Sequence, residues 1–159
     1  MEFPLLLQYL GGLLGMGDLA LNDNGVLSLQ FGDAIVIHLE PDPDGIRGHL
    51  YGSFGPAPSD PVERARLFEA LLSANCFGRG TEGATFSLDE HEQELLLGRI
   101  FICEETEPQV LFSWIKDIVG SLDVWKGRRL ELLDPASPCL EEGFKPFTAG
   151  SGADHYFRA

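Results

Sequence analysis

The side chains best suited to nucleophilic chemistry in this sequence are three cysteines, Cys76, Cys103 and Cys139. A cysteine nucleophile needs a base beside its thiolate, and the candidate bases are four histidines: His38, His49, His91 and His155. Cys76 falls at the end of a predicted helix and Cys103 at the end of a predicted strand, which are ordinary positions for small apolar side chains. We therefore predict no catalytic residue, and a small thiol enzyme is kept only as an alternative.

Two acidic turns contain the oxygen atoms that a metal ion would need. One is Asp42-Pro43-Asp44, and the other carries Asp89, Glu90, Glu92 and Glu94. A calcium loop also needs a glycine at the sharp turn and a final bidentate glutamate, and the prolines restrict the first turn. We interpret both groups as charged side chains of turns that face water. We expect no metal and no cofactor.

A glycine-rich string, Gly78-Arg79-Gly80-Thr81-Glu82-Gly83, has the G-x-G-x-x-G spacing of dinucleotide-binding loops. In those loops the string follows a strand and opens a helix, whose N-terminus holds the pyrophosphate. Here it follows a predicted helix and leads into a predicted strand. We interpret it as the exit of that helix.

The charge of the chain excludes several classes of function. Its 159 residues carry 11 Lys and Arg against 25 Asp and Glu, a net charge of −14, so neither nucleic acid nor an anionic membrane is an expected partner. The three widely spaced cysteines predict reduced thiols, and the acidic start Met1-Glu2-Phe3 does not resemble a secretory signal. With no apolar run near the ~20 residues that span a bilayer, a cytoplasmic protein is expected.

Hydrophobic periodicity predicts the elements that position these residues. Three- and four-residue spacing predicts a helix over 3–16, and alternation predicts antiparallel strands over 26–31, 34–40 and 46–54. Asp60-Pro61-Val62-Glu63 predicts the start of a second helix that ends near Asn75. Strands over 85–88 and 95–102 follow. The last helix starts at Thr106-Glu107-Pro108-Gln109, and its apolar positions reach Trp125.

This order, α-β-β-β-α-β-β-α, predicts an α+β fold in which a curved antiparallel sheet packs against helices. We expect one domain over residues 1–133 and a mobile Pro/Gly-rich C-terminal tail over 134–159. Lys126, Arg128 and Arg129 are expected just after the last helix, where they would offset its dipole.

Two segments resemble the class I type III secretion chaperones, the Tir chaperone family. Residues 13–25, Leu-Leu-Gly-Met-Gly-Asp-Leu-Ala-Leu-Asn-Asp-Asn-Gly, are similar to the helix-to-strand entry of that family. Leu71-Leu72-Ser73-Ala74-Asn75, followed by Gly80 and Gly83, is similar to its helix exit. The resemblance runs from Leu5 to Trp125; Gly17 stands where a proline is common, and the tail has no counterpart.

The resemblance implies a homodimeric, non-catalytic chaperone in the bacterial cytosol. Such a protein binds the N-terminal segment of a secreted effector in extended form and delivers it to the secretion apparatus, with a secretion ATPase as a further partner. The implied effector-binding residues lie on the first helix and first strands: Leu6, Leu10, Leu13, Leu27, Leu29, Ile35 and Ile37. The implied dimer residues lie on the second helix: Leu67, Phe68, Leu71 and Leu72.

The expected mechanism combines strand addition at an exposed sheet edge with burial of client side chains in apolar grooves. A same-fold bacterial adaptor that binds folded partners is the alternative from another functional class. The two differ in whether the captured partner is unfolded or natively folded.

Overall fold

The computed structural model describes residues 1–134, which contain three helices and a five-stranded sheet. The elements are α1 (Phe3–Leu14), β1 (Leu27–Phe31), β2 (Ile35–Pro41), β3 (Arg47–Pro56), α2 (Pro61–Asn75), β4 (Thr85–Asp89), β5 (Glu94–Ile102) and α3 (Pro108–Leu133). The predicted element order and the α+β class are confirmed. The predicted tail lies, apart from Asp134, outside the described residues, so the division into domain and tail stays a prediction.

The sheet is antiparallel throughout, in the order β1-β2-β3-β5-β4. Its strands alternate as the sequence does: Leu27, Leu29 and Phe31 of β1 are buried, while Ser28 and Gln30 between them face away from the core. Such alternation is typical of a sheet with one face on the core and one in water. β1 and β4 form the two edges.

Helix α3 lies across the inner face of the sheet and carries much of the core. Its buried side chains include Leu111, Ile115, Ile118, Val119, Leu122, Trp125 and Leu132. Both α1 and α2 pack against it, and Phe3 of α1 stacks on Phe101 of β5 with ring centroids 6.4 Å apart. The sheet and helices therefore form two layers around one hydrophobic cluster.

Helix α1 ends at Leu14, two residues earlier than the periodicity predicts. Gly15 takes the left-handed conformation at φ 67°, and the N–H of Met16 donates to the carbonyl of Gly11 at 3.0 Å. This is the common glycine termination of a helix. The chain then folds back so closely that a Cβ on Gly11 would lie 1.9 Å from the carbonyl oxygen of Gly17.

Helix α3 continues eight residues beyond Trp125, so the prediction for the basic cluster is wrong. Lys126, Arg128 and Arg129 lie inside the helix. Lys126 donates to the carbonyl of Ala34 at 3.1 Å, and the guanidinium of Arg129 donates to the carbonyl of Pro56. The last apolar positions before Pro135 keep the helical period, and Gly127 does not interrupt it. Lys126 and Arg129 thereby tie α3 to the turn between β1 and β2 and to the end of β3.

Within residues 1–134, the structure contains no helix with the length and apolar content that crossing a bilayer requires.

Candidate protein-binding surfaces

One face of α1 presents large apolar side chains to solvent. Leu5, Tyr9 and Leu13 are four residues apart and so lie above one another along the helix. They are 43%, 54% and 41% exposed, and Met16 beyond the helix end is 55% exposed. We call these four residues the α1 surface. Monomeric soluble proteins rarely expose large contiguous apolar patches, so this face suits a protein partner.

The structure buries six of the seven residues that the family resemblance implied for effector binding. Leu6, Leu10, Leu27, Leu29, Ile35 and Ile37 are between 0% and 7% exposed. They form the inner faces of α1 and of the β1–β2 hairpin, so a client would touch them only if they left the core. Leu13 is the exception, because it lies on the outer face of α1. Its neighbours Leu5, Tyr9 and Met16 were not among the predicted effector-binding residues.

The outer edge of β1 provides a second kind of surface. Among the described residues β1 pairs only with β2, in a register that joins Leu27 to Leu39 and Phe31 to Ile35. Backbone N–H and C=O groups at a sheet edge can template the pairing of another chain, and residues 27–30 of β1 lie at such an edge. β1 contains neither proline nor lysine, the residues that commonly block such pairing.

A small apolar groove lies between α2 and β4 and contains three of the four predicted dimer residues. Phe68 is half-buried, Leu71 is buried and Leu72 is 68% exposed, whereas the fourth, Leu67, is fully buried in the core. The cavity measures about 120 Å³. Its full lining is Phe68, Leu71, Leu72, Asn75, Phe86, Ser87, Leu88 and Leu95, which we call the α2–β4 groove.

Side-chain hydrogen bonds fix both ends of α2 and so shape this groove. At the start, the Asp60 carboxylate accepts from the N–H groups of Val62 and Glu63 at 3.0 and 2.9 Å, which confirms the predicted cap. At the end, Asn75 Nδ2 donates to the carbonyl of Phe86 at 3.1 Å, and Asn75 Oδ1 accepts from its N–H at 2.7 Å. The asparagine thereby pairs with β4 as a neighbouring strand would.

The glycine-rich string is a helix exit, as predicted. It lies between α2 and β4, and its carbonyl groups are bound by the protein itself. Trp125 Nε1 donates to the carbonyl of Gly80 at 2.7 Å, and Arg99 Nη2 donates to that of Glu82 at 2.6 Å. Gly83 has φ 82°, and a Cβ there would lie 2.6 Å from Arg99 Nη2. Close packing against Arg99 explains this glycine without a bound phosphate.

An acidic concavity of about 760 Å³ lies on the face of the sheet that points away from the core. Leu96 and Ile100 of β5 contribute apolar surface to it. Its charged side chains are the carboxylates of Glu40, Asp89, Glu92 and Glu94 and the guanidinium of Arg99. Burial, followed by the charge of Glu40, raises the pKa of Tyr51, whose hydroxyl donates to Glu40 Oε2 at 3.3 Å. The concavity therefore combines apolar contact area with negative charge.

The acidic turns form internal contacts. Asp42 pairs with His49 at 2.6 Å, and Asp44 accepts from the N–H of Ile46 at 2.9 Å. Asp89 accepts from the N–H of His91 at 2.9 Å. Over residues 1–134, no group of three or more His, Cys, Asp or Glu side chains is placed to hold a metal ion.

The two described cysteines differ in exposure. Burial raises the pKa of the Cys103 thiol, because a charged sulfur would lose its hydration there. Cys76 is exposed at the C-terminal end of α2, and Cys139 lies outside the described residues. Neither Cys76 nor Cys103 lines the α2–β4 groove or the acidic concavity.

Comparisons with known proteins agree with this geometry. The model of the Tir chaperone protein (CesT) family matches residues 5–126 of the chain. A search of curated protein sequences finds no match. The fold is similar to that of the HopA1–SchA chaperone–effector complex, with TM-score 0.64 and 18% identity over 79% of this chain and 93% of that chain.

Two further solved structures are similar at the level of the fold. The ExsC–ExsE complex gives TM-score 0.63 and 19% identity over 86% of this chain and 100% of that chain. The Yersinia pestis type III secretion chaperone SycH, in complex with a fragment of YscM2, gives TM-score 0.60 and 18% identity over 77% and 98%.

Proposed function

This chain belongs to the Tir chaperone protein (CesT) family, and from that premise we propose that it is a cytoplasmic bacterial chaperone for a type III secretion effector. It binds the N-terminal segment of the effector in extended form and delivers it to the secretion apparatus and its ATPase. The observation that carries this proposal is the exposed apolar α1 surface, in a protein whose first strand lies at an edge of the sheet and, among residues 1–134, pairs only with β2. Binding of this kind requires neither a catalytic group nor a cofactor.

The open edge of β1 supplies the backbone part of the binding. A client strand that pairs there satisfies its own N–H and C=O groups and extends the sheet without requiring a particular sequence. This suits a partner that must stay unfolded, because the pairing holds the segment extended.

The α1 surface supplies the side-chain part. Leu5, Tyr9, Leu13 and Met16 are each about half exposed, so burying the exposed part of one of them stabilises a complex by about 1 kcal/mol. Ordering a disordered client costs roughly 2–5 kcal/mol or more. Contacts with only one of these apolar residues therefore cannot hold the client, whereas contacts with Leu5, Tyr9, Leu13 and Met16 together offset the ordering cost.

We place the homodimer contact at the α2–β4 groove. Three predicted dimer residues meet there, and Leu72 at the groove is too exposed for an ordinary core leucine. A two-fold dimer carries two copies of the α1 surface and of the β1 edge. A client segment can then bind along a longer surface than one chain provides.

The acidic surface restricts which clients bind. With a net charge of −14, the protein repels acidic proteins and attracts cationic segments. The acidic concavity lies on the outer face of the same sheet that offers the β1 edge. Basic residues that flank the apolar part of a client therefore gain electrostatic stabilisation there.

A capture experiment with one variant tests this function. Proteins that co-purify with the chain from its source bacterium are identified, and the N-terminal segment of the captured protein is prepared alone. Wild type binds this segment, and Leu13→Glu binds it at least about tenfold more weakly, since the contact loses apolar area and gains a charge. The control is Leu130→Glu, at an apolar side chain 81% exposed near the end of α3.

The state of the captured protein separates the two classes of function. A segment that is disordered alone and protected from protease in the complex supports the chaperone. Capture only of natively folded partners, with equal binding by both variants, would instead support the adaptor.

A further inference from the structure

Phe77 combines backbone strain with full exposure of an aromatic ring. It is the middle residue of the short 3-10 turn Cys76–Gly78 that follows α2, at φ 55° and ψ 18°. A bulky residue in this left-handed region is a genuine outlier, because its Cβ crowds the following carbonyl group. Its side chain is nevertheless 86% exposed, more than any other large apolar side chain among residues 1–134.

Among residues 1–134, the ring contacts the guanidinium of Arg79, which lies 5.3 Å from the ring centroid. Turn hydrogen bonds hold the backbone around it, and the N–H of Gly80 donates to the carbonyl of Ala74 at 3.3 Å. A strained conformation persists where the surrounding structure requires it, and such residues cluster at binding sites. The ring is therefore a candidate for insertion into another molecule.

The α2–β4 groove has the size and chemistry to receive one aromatic ring. Its volume of about 120 Å³ is close to that of an apolar cavity of about 150 Å³ that accepts benzene. The lining is aliphatic and aromatic apart from Asn75 and Ser87, and none of the described residues in it is charged. Since Phe77 is 86% exposed, it does not fill the groove of its own chain.

We propose that Phe77 of one copy inserts into the α2–β4 groove of a second copy, which inserts its own Phe77 in return. This inference rests on the homodimer in the proposed function and names its anchor. Asn75 lines the groove and Phe77 follows two residues later, so the protruding ring and the groove occupy the same corner of the fold. A two-fold axis at that corner makes the contact reciprocal.

The charge distribution favours a second copy as the occupant. Two copies of a chain with net charge −14 repel each other, so a stable self-contact needs a surface without carboxylates. The groove lining meets this condition, whereas the acidic concavity does not. Leu72, at the side of the groove, adds apolar area around the ring.

The test is the dimer dissociation constant of Phe77→Gly, measured by sedimentation equilibrium. Glycine adopts positive φ readily, so this change removes the ring and also relieves the strain. We expect dimerisation to weaken by about 30-fold or more, as for a buried aromatic anchor, while thermal unfolding of the monomer is not impaired. Phe77→Asn should weaken dimerisation in the same way, because asparagine also tolerates this conformation. The control Leu130→Ala removes another highly exposed apolar side chain and should leave the constant unchanged.

A disulfide trap tests the geometry directly. One protein carries Phe77→Cys and the other carries Leu88→Cys, both in a chain with Cys76→Ser and Cys139→Ser. Oxidation of the mixture should form a covalent heterodimer between positions 77 and 88. When the second protein carries Leu130→Cys in place of Leu88→Cys, the covalent heterodimer should not form.

The outcomes separate this contact from the proposed function. A wild-type dimer that Phe77→Gly does not weaken overturns the anchor and leaves the chaperone intact. A wild-type monomer at tens of micromolar overturns both the anchor and the homodimer, while client capture is measured independently. If Phe77→Gly dimerises normally but loses client capture, the ring contacts the client, and the proposed self-contact is wrong.

Discussion

The side-chain amide of Asn75 forms two hydrogen bonds with the backbone of one residue, Phe86, at 2.7 and 3.1 Å. Phe86 lies on β4, the edge strand of the sheet. The amide thus occupies the place of the missing neighbouring strand and ties the end of α2 to the sheet. The α2–β4 groove, in which dimerisation is proposed, has Asn75 and Phe86 in its lining.

Replacing Asn75 by leucine should destabilise the fold by about 2–3 kcal/mol. The change leaves the N–H and C=O groups of Phe86 without these partners, and each unsatisfied buried group costs roughly 1–3 kcal/mol. The free energy of unfolding in urea measures the effect, with all proteins at one concentration because dimerisation contributes to stability. Asn75→Asp keeps the acceptor but loses the donor, so its free energy of unfolding should lie between those of wild type and Asn75→Leu. A loss below about 0.5 kcal/mol for Asn75→Leu would contradict this role.

Two neighbouring glycines of α1 should respond to alanine in opposite directions. A Cβ on Gly11 would lie 1.9 Å from the carbonyl oxygen of Gly17, whereas a Cβ on Gly12 meets no atom within 4 Å. Alanine is favoured over glycine in a helix by roughly 0.5–1 kcal/mol. We therefore expect Gly12→Ala to raise the melting temperature and Gly11→Ala to lower it. Equal shifts of the same sign would show that the chain does not fold back over Gly11.

Acidification should destabilise the protein partly through His38. Burial lowers the pKa of this histidine from 6.5, and the charge of Glu40 opposes the shift. The unfolded chain then binds this proton more readily than the folded chain does. His38 therefore contributes stability above the unfolded pKa, and this contribution is lost as the pH falls through the folded pKa.

The measurement is the free energy of unfolding of His38→Gln between about pH 7.5 and about pH 5. This variant should lose less stability over that interval than wild type. The matched control is His91→Gln, which removes a histidine from the turn after β4. An identical pH dependence of wild type and His38→Gln would disprove this assignment.

The sequence predicts the order of elements because each has a clear local signal. Strand alternation in Leu27, Leu29 and Phe31, and the proline-containing cap at Asp60, act within a few residues and need no tertiary contact. The prediction placed the end of α3 too early, because Gly127 and the basic residues resemble a helix end. Their contacts with the carbonyls of Ala34 and Pro56 depend on distant parts of the chain.

The candidate site was less predictable because α1 is apolar on both faces. Leu6 and Leu10 face the core while Leu5 and Leu13 face solvent, yet all four fit a helical repeat. Periodicity identifies the helix but does not choose between two leucine-rich faces. Packing against α3 makes that choice. The left-handed conformation of Phe77 has no local sequence signal, because such a conformation normally favours glycine or asparagine.

Amide hydrogen exchange of the chaperone, with and without its client segment, tests the central claim most directly. We predict that amides over residues 27–30 of β1 become slower to exchange on binding, and that the client segment gains protection at the same time. Protection of the client without any change at β1 or α1 would contradict the account.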